Sequence, residues 1–470
     1  MKRLLMKGLL AALGVSLCGL LMGMASGNST GSPAPTKVTF NKDVLPILQN
    51  NCQSCHRPGE VAPMALMTYS QVRPWATAIK TAVLVKKMPP WLADPQYGHF
   101  ENERKLTPEQ IKTLVSWADS GAVEGDAKDK PAPIEFVDGW NIGKPDRIIE
   151  MPAQFHIPAQ GTIEYQYVVI PGGFTEDTWV KAAEVRPGNR ALVHHVIAFV
   201  RPPGAKWLKD AQPGVPFVPT KEENSDRRRR RSDDGSVVES ENLVGYAPGL
   251  QPLELHDSAK LVKAGSDIVL QLHYTANGTA GDDKTKVGFI FSKEAPKLRN
   301  VTLLAPNNGF VIPPGADNYE VKSQVELQDT VQLVDLMPHM HFRGKDFTYK
   351  ITYPDGQSET VLSVPKYDFN WQLGYMLQKP ITLPKGTRIE CTAHFDNSAN
   401  NLYNPDPTKE VRWGDQTWEE MMIGWFSVAV DPKVSVAGLV KFERPGTTSQ
   451  PKAAPAGPAV GASGASSSSR

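Results

Sequence analysis

Four cysteines are spread over 470 residues, and two of them share one short cluster with a histidine, Cys52-Gln53-Ser54-Cys55-His56. The other two, Cys18 and Cys391, stand alone. Exported proteins often rely on disulfide staples, but no cysteine pair is spare here, so the fold must rest on hydrophobic cores. The length permits this and predicts two or three domains. A hydrophobic content of 40 % with 21 % charged residues is that of a folded globular chain. The formal net charge of +1 offers no electrostatic handle for nucleic acid.

Composition divides the chain. Lys2, Arg3 and Lys7 precede an uncharged, mostly apolar run over 9–24, and Gly23-Met24-Ala25 supplies small residues for cleavage after Ala25. Residues 1–25 thus read as a Sec-type signal peptide, predicting export to the periplasm without stable membrane insertion. Leu17, ahead of Cys18, is too large for a lipoprotein signal. Residues 26–36 form a flexible leader and 126–150, with Lys-Pro-Ala-Pro, a linker.

Residues 37–125 read as helical. Asn41 is the expected cap of a first helix, with Phe40 and Leu45 as a staple. A second helix is expected over 74–87, stopping at Pro89-Pro90, and a third from the capping pattern Thr107-Pro108-Glu109-Gln110 to Gly121. From about residue 150 the texture alternates, with apolar runs at 164–170, 191–200, 267–275, 331–336, 347–353 and 388–395 between glycine-rich turns. This predicts two β-sandwich, jelly-roll-like domains, 151–297 and 298–445. Residues 446–470 are a small-residue tail expected to be disordered. The arginine run 227–231, flanked by acidic residues, reads as a solvated loop.

Cys-x-x-Cys-His has a specific mechanical use. Two thiols add across the vinyl groups of a haem, and the adjacent histidine reaches the iron. A thioredoxin-like pair would need a βαβ context, and a zinc site would need more ligands nearby. One covalent haem c at Cys52, Cys55 and His56 is expected. Residues 37–125 resemble a class I cytochrome c domain, which implies an all-α fold and a methionine as second axial ligand. Met88, before Pro89, fits that role, since a residue preceding proline is pushed out of the helix. Met64, Met67 and His99 compete with it.

Five of the ten histidines fall into three groups in the β region: His194-His195, His273 in Leu270-Gln271-Leu272-His273-Tyr274, and His339-Met340-His341. Residues two apart on a strand share a face, so His339 and His341 can chelate one ion. His194 and His195 face apart unless a bulge or strand end intervenes. Imidazole groups suit copper, zinc, nickel or iron, and beside a haem they favour copper.

Residues of about 150–440 resemble the copper type II, ascorbate-dependent monooxygenases, the peptidylglycine α-hydroxylating and dopamine β-hydroxylating enzymes. That resemblance implies two copper ions. His194, His195 and His273 match the electron-input site, and His339, His341 and Met421 match the catalytic, oxygen-binding site. Met421 follows Gly414-Asp415-Gln416-Thr417-Trp418-Glu419-Glu420, with Met422 as runner-up. The family's carboxylate clamp is replaced by Met337, Ile423 and Trp425. His394, near Cys391, has no ligand counterpart and reads as a satisfied buried histidine.

The resemblance implies a monooxygenase that uses O2 on a small organic substrate other than a peptide carboxylate. The haem would be a fused electron donor, with ascorbate or another external reductant as the further electron source. The rival expectation is an electron-transfer or copper-binding protein without turnover.

Overall fold

The computed structural model describes residues 37–220, 223 and 240–443, except 61 and 137–138. The expected signal peptide, the leader, the arginine run and the C-terminal tail lie outside the described residues. No helix among the described residues is long and apolar enough to cross a membrane.

The chain is mostly β-sheet, and the expected N-terminal all-α domain is not there. Helices are short: α1 Leu45–Asn51, preceded by a π-helical turn Phe40–Val44, then α2 Tyr69–Val72, α3 Ala76–Leu84 and α4 Pro108–Asp119. They share a small core of Phe40, Val44, Leu48, Leu114 and Trp117. The connecting chain does not close around that core. Trp91 and Phe100 pack edge-on against Tyr375 with ring centroids 5.0 and 5.4 Å away. Asp94 donates its N–H to Ser363 at 2.8 Å, and the Asn102 side chain donates to Gly374 at 2.9 Å. Apolar side chains of 91–100 thus find their cover on the β-sheets rather than on a helical partner. A 3-10 turn, Arg73–Trp75, joins α2 to α3, and the rest of the segment is loop.

Local chemistry explains where the helices begin. Thr68 with Gln71, and Thr107 with Gln110, form reciprocal capping boxes, and Pro108 occupies the first turn where its missing N–H costs nothing. Asn41 is not the expected cap. Thr39 precedes the first turn, and the buried Asn41 side chain donates instead to the Asp126 carbonyl at 3.2 Å.

The β region is not two separate sandwiches. A nine-stranded sheet runs through both halves, with a four-stranded sheet belonging to the first half and a five-stranded sheet to the second. The join is a parallel pairing of Ser258–Val262 with Leu298–Pro306 through Leu298 opposite Ser258 and Arg299 opposite Ala259. Arg147–Glu150, within the expected linker, is an edge strand of the large sheet, paired with Lys286–Phe291. One apolar core lies under Val168, Val196, Leu270 and Phe289, the other under Leu333, Phe347, Leu362 and Phe426.

A bulge sets which side chains reach the site. In Val331–His339 the register shifts between Leu333 and Asp335. Leu333 and Leu336 therefore both enter the core, while Asp335, Met337 and His339 turn to the opposite face.

Candidate metal centres

His194 sits in Val193–Arg201, hydrogen-bonded to Asp267–Tyr274. The register jumps from Val193 opposite Tyr274 to His195 opposite His273, so His194 is the extra residue of a β-bulge. This resolves the geometric problem of two adjacent histidines. The bulge returns His194 to the face of His195, and the cross-strand neighbour His273 completes the group. The ligand atoms of the three rings lie within 4.8 Å of one another. His194 Nδ1 and His195 Nδ1 are 3.2 Å apart, about the edge of a tetrahedron whose corners lie ~2.0 Å from its centre, the distance of a metal–imidazole bond. His194 Nε2 and His273 Nδ1 are buried with no hydrogen-bond partner. Burial, then the neighbouring His339, holds the His194 imidazole down to about 4, so its lone pairs are unprotonated at neutral pH.

The second group is built at the end of Val331–His339. His339 closes the strand, and His341 lies just past it. His339 Nδ1 donates to the Gln372 amide oxygen at 2.9 Å, and His341 Nδ1 to the Glu419 carbonyl at 3.2 Å. Each ring then carries its lone pair on Nε2, the arrangement by which outer hydrogen bonds fix the tautomer of a metal ligand. His341 Nε2 is buried without a partner. The two rings are 5.3 Å apart and perpendicular at 88°. Met421 lines the same cavity as His339 and His341, whereas Met422 lies in the hydrophobic core. The donor set of two imidazoles and a thioether fits a soft metal such as copper.

Sequence reasoning missed the residues that organise these groups. Glu420, fully buried, accepts the His341 N–H at 2.9 Å and the Arg343 N–H at 2.7 Å, fixing the turn that carries His341. Burial pushes the Glu420 carboxyl up to about 8. Tyr367 O–H donates to the Met340 carbonyl at 2.8 Å. Phe369 lies between the two groups. Its ring stacks on His194 at 5.0 Å and meets His341 edge-on at 6.0 Å. Tyr165, with an unpartnered buried hydroxyl, has its ring 4.5 Å from His273. Loop aromatics and amides carry no spacing signal, so nothing in the chain marked them.

A cavity of about 490 Å³ runs along the large sheet and is lined by His195, His339, His341 and Met421. Met337, Ile423 and Trp425 line it too. They are cross-strand neighbours, with Met337 opposite Trp425 and His339 opposite Ile423. His394 and Cys391 stand elsewhere: His394 Nδ1 is 2.7 Å from Asp346, and Cys391 is in the core.

At the other cluster, Cys52 and Cys55 are half-buried free thiols in a tight turn after α1, where Cys55 and His56 both donate N–H to the Cys52 carbonyl. Burial, then the Cys55 charge, pushes the Cys52 thiol up to about 12. His56 Nδ1 donates to the Met64 carbonyl at 3.2 Å, leaving Nε2 for a ligand. This fits a thioether-linked haem with His56 on the iron. Met88 is half-buried after α3, and Met64 packs against the helical core. Glu60 pairs with Arg57 at 3.0 Å and with Arg190, four residues before His194.

No family model and no curated protein matches the chain. Among solved structures, one of infectious bursal disease virus, Gx strain, is 9 % identical, covers 64 % of this chain and 76 % of its own, and gives a TM-score of 0.17. PNGF-II in a C2 space group is 9 % identical over 70 % of this chain and 68 % of its own, with a TM-score of 0.24. A putative secreted protein from Eubacterium rectale is 9 % identical over 57 % and 69 %, with a TM-score of 0.15. Scores this low carry no argument about fold or function.

Proposed function

We propose that this is an exported, periplasmic copper- and haem-dependent monooxygenase that uses O2 to hydroxylate a small organic substrate. The observation that carries this reading is that His195 of one imidazole group and His339, His341 and Met421 of the other line one cavity, with Phe369 in contact with both groups. Copper held by these donors would supply one-electron redox chemistry and oxygen activation. The chain's own part is ligation, orientation and access. Gln372 and the Glu419 carbonyl orient His339 and His341, and Glu420 fixes the turn that carries His341. Met337, Ile423 and Trp425 give the cavity an apolar wall beside the ligands. A substrate carboxylate there would lose its hydration without gaining a partner.

Haem attached at Cys52 and Cys55, with His56 and Met88 as axial ligands, would be the internal electron donor. The Glu60–Arg190 ion pair supports that role, because it ties the segment bearing the motif to the turn that leads into the strand bearing His194 and His195. Ascorbate or another external reductant would replenish it.

The test is oxygen uptake by the copper-loaded chain, supplied with reductant and a library of neutral organic compounds. Substrate-dependent uptake that disappears in Met421→Ala, with the haem spectrum unchanged, is expected. Copper loading with no substrate-dependent uptake would favour an electron-transfer or copper-binding protein.

A further inference from the structure

Far from the histidines, the same cavity has a polar end that ligation of metals leaves unexplained. Leu298, Asn300 and Thr302 alternate along one strand onto the cavity face, joined there by Lys260, Asp335 and Ser427. Strand register gives the layout. His339 is opposite Ile423, Met337 opposite Trp425, Asp335 opposite Ser427, and Ser427 opposite Thr302. Asn300 lies one step further, opposite Ala429. At a strand rise of roughly 3.3 Å per residue, the Ser427 level is about 13 Å from the Ile423 level, and Asn300 about 20 Å.

Most of this polar row is satisfied. Lys260 donates to the Asn242 carbonyl at 2.9 Å and to the Thr302 hydroxyl at 2.6 Å. Thr302 and Ser427 hydroxyls are 3.2 Å apart. The buried and half-buried charges balance, since Glu241 and Asp335 face Lys260 and Arg299 pairs with Glu241 at 3.0 Å, while Glu254, His256 and Asp257, which also line the cavity, are exposed. Glu241 Oε1 and Arg299 Nε also lack a partner but do not line the cavity; on the cavity face the exception is Asn300. It is 1 % exposed, and both its amide nitrogen and its amide oxygen lack any hydrogen-bond partner. Such a group is retained at a cost unless something fills it.

We propose that Asn300 is a substrate-recognition residue, and that the cavity takes an extended, largely apolar molecule carrying a carboxamide at the end remote from the histidines. A side-chain amide offers a donor and an acceptor side by side, and a second amide is its complement in a two-bond ring. The balanced charges around it disfavour an ionic head group. The apolar stretch past Met337 and Trp425 accepts a hydrocarbon chain. This inference rests on the monooxygenase reading for the word substrate, but binding itself does not.

The experiment measures calorimetric binding of decanamide, decanoate and decanol to the full chain without reductant, so that no turnover competes. Decanamide is expected to bind at least tenfold more tightly than decanoate or decanol. Asn300→Leu and Asn300→Ala should each remove that preference while keeping copper uptake at both histidine groups. If the wild-type chain shows no preference for the amide, or if the preference survives in either folded variant, the proposal is overturned. Should both variants lose copper uptake, the wild-type comparison alone decides. Oxygen uptake does not enter these measurements, so a failed monooxygenase assay leaves this result standing, and the converse holds too.

Discussion

Replacing Gln372 by leucine separates ligand orientation from ligand identity. Gln372 is 3 % exposed: its oxygen accepts His339 Nδ1–H at 2.9 Å and lies 3.4 Å from the Tyr367 hydroxyl, and its nitrogen donates to the Phe369 carbonyl at 2.8 Å. Leucine has similar bulk but can make none of these. Loss of the acceptor frees the His339 ring to rotate and to change tautomer. Outer-shell partners of this kind are worth about 10–100-fold in metal affinity, or about 1.4–2.7 kcal/mol. The abandoned Phe369 carbonyl adds about 1–3 kcal/mol of lost stability. The assay is a copper(I) competition titration with a chromophoric chelator, run in a His194→Ala, His195→Ala background so that only the second site reports. A matched His339→Ala, His341→Ala background reports the first site. Expected is a 10–100-fold loss at the second site and less than about threefold at the first, since no hydrogen bond of Gln372 reaches His194, His195 or His273. Unchanged affinity at the second site would refute the orienting role. Equal losses at both would mean that Gln372→Leu acts by loosening the fold.

Four further outcomes are expected. Haem on the purified protein should resist acid–acetone extraction; Cys52→Ala should lower haem retention, and only the double variant Cys52→Ala, Cys55→Ala should leave the haem fully extractable; a red-end charge-transfer band should vanish in Met88→Ala rather than in Met64→Ala. Met421→Ala should weaken copper at the second site with little change in urea midpoint, whereas Met422→Ala should cost about 2–5 kcal/mol of stability and leave affinity intact; the reverse pattern would exchange their roles. The His194 imidazole is held down to about 4 in the folded chain, against about 6.5 when unfolded, so the unfolded state binds the extra proton between those values. The His194 contribution to metal-free stability should therefore be flat above pH about 7 and fall toward pH about 4, by on the order of 3 kcal/mol, and His194→Gln should remove that part of the urea profile. A profile unchanged by the substitution would show that His194 does not titrate this way.

How much of this was legible beforehand depends on whether a residue's role is local. The capping boxes at Thr68 and Thr107 and the turn chemistry are local, though only the second was read from sequence. The strands carrying the histidines were visible as apolar runs, because each buries one face or both. What sequence spacing could not state is which adjacent histidine is the bulge, since register belongs to the partner strand. The choice between Met421 and Met422 is likewise one of face, and depends on where the preceding Glu420 is anchored. The all-α expectation for 37–125 failed for a related reason. Periodicity marked real helices, but it could not reveal that Trp91 and Phe100 pack beside Tyr375, almost three hundred positions away in the chain.

The sheet shared between the two β halves has a consequence for anyone dividing the protein. Ser258–Val262 is hydrogen-bonded on one side to Thr178–Arg186 and on the other to Leu298–Pro306. A cut at residue 297 would turn an internal strand into a raw edge, with the buried Ala259 and Val262 beside open backbone groups. Such edges recruit other chains. Fragments ending or starting there should aggregate on expression even where each keeps its own core. The same continuity denies the two histidine groups an independent hinge at this point, because moving one β half away from the other would require breaking the ladder between Ser258 and Leu298.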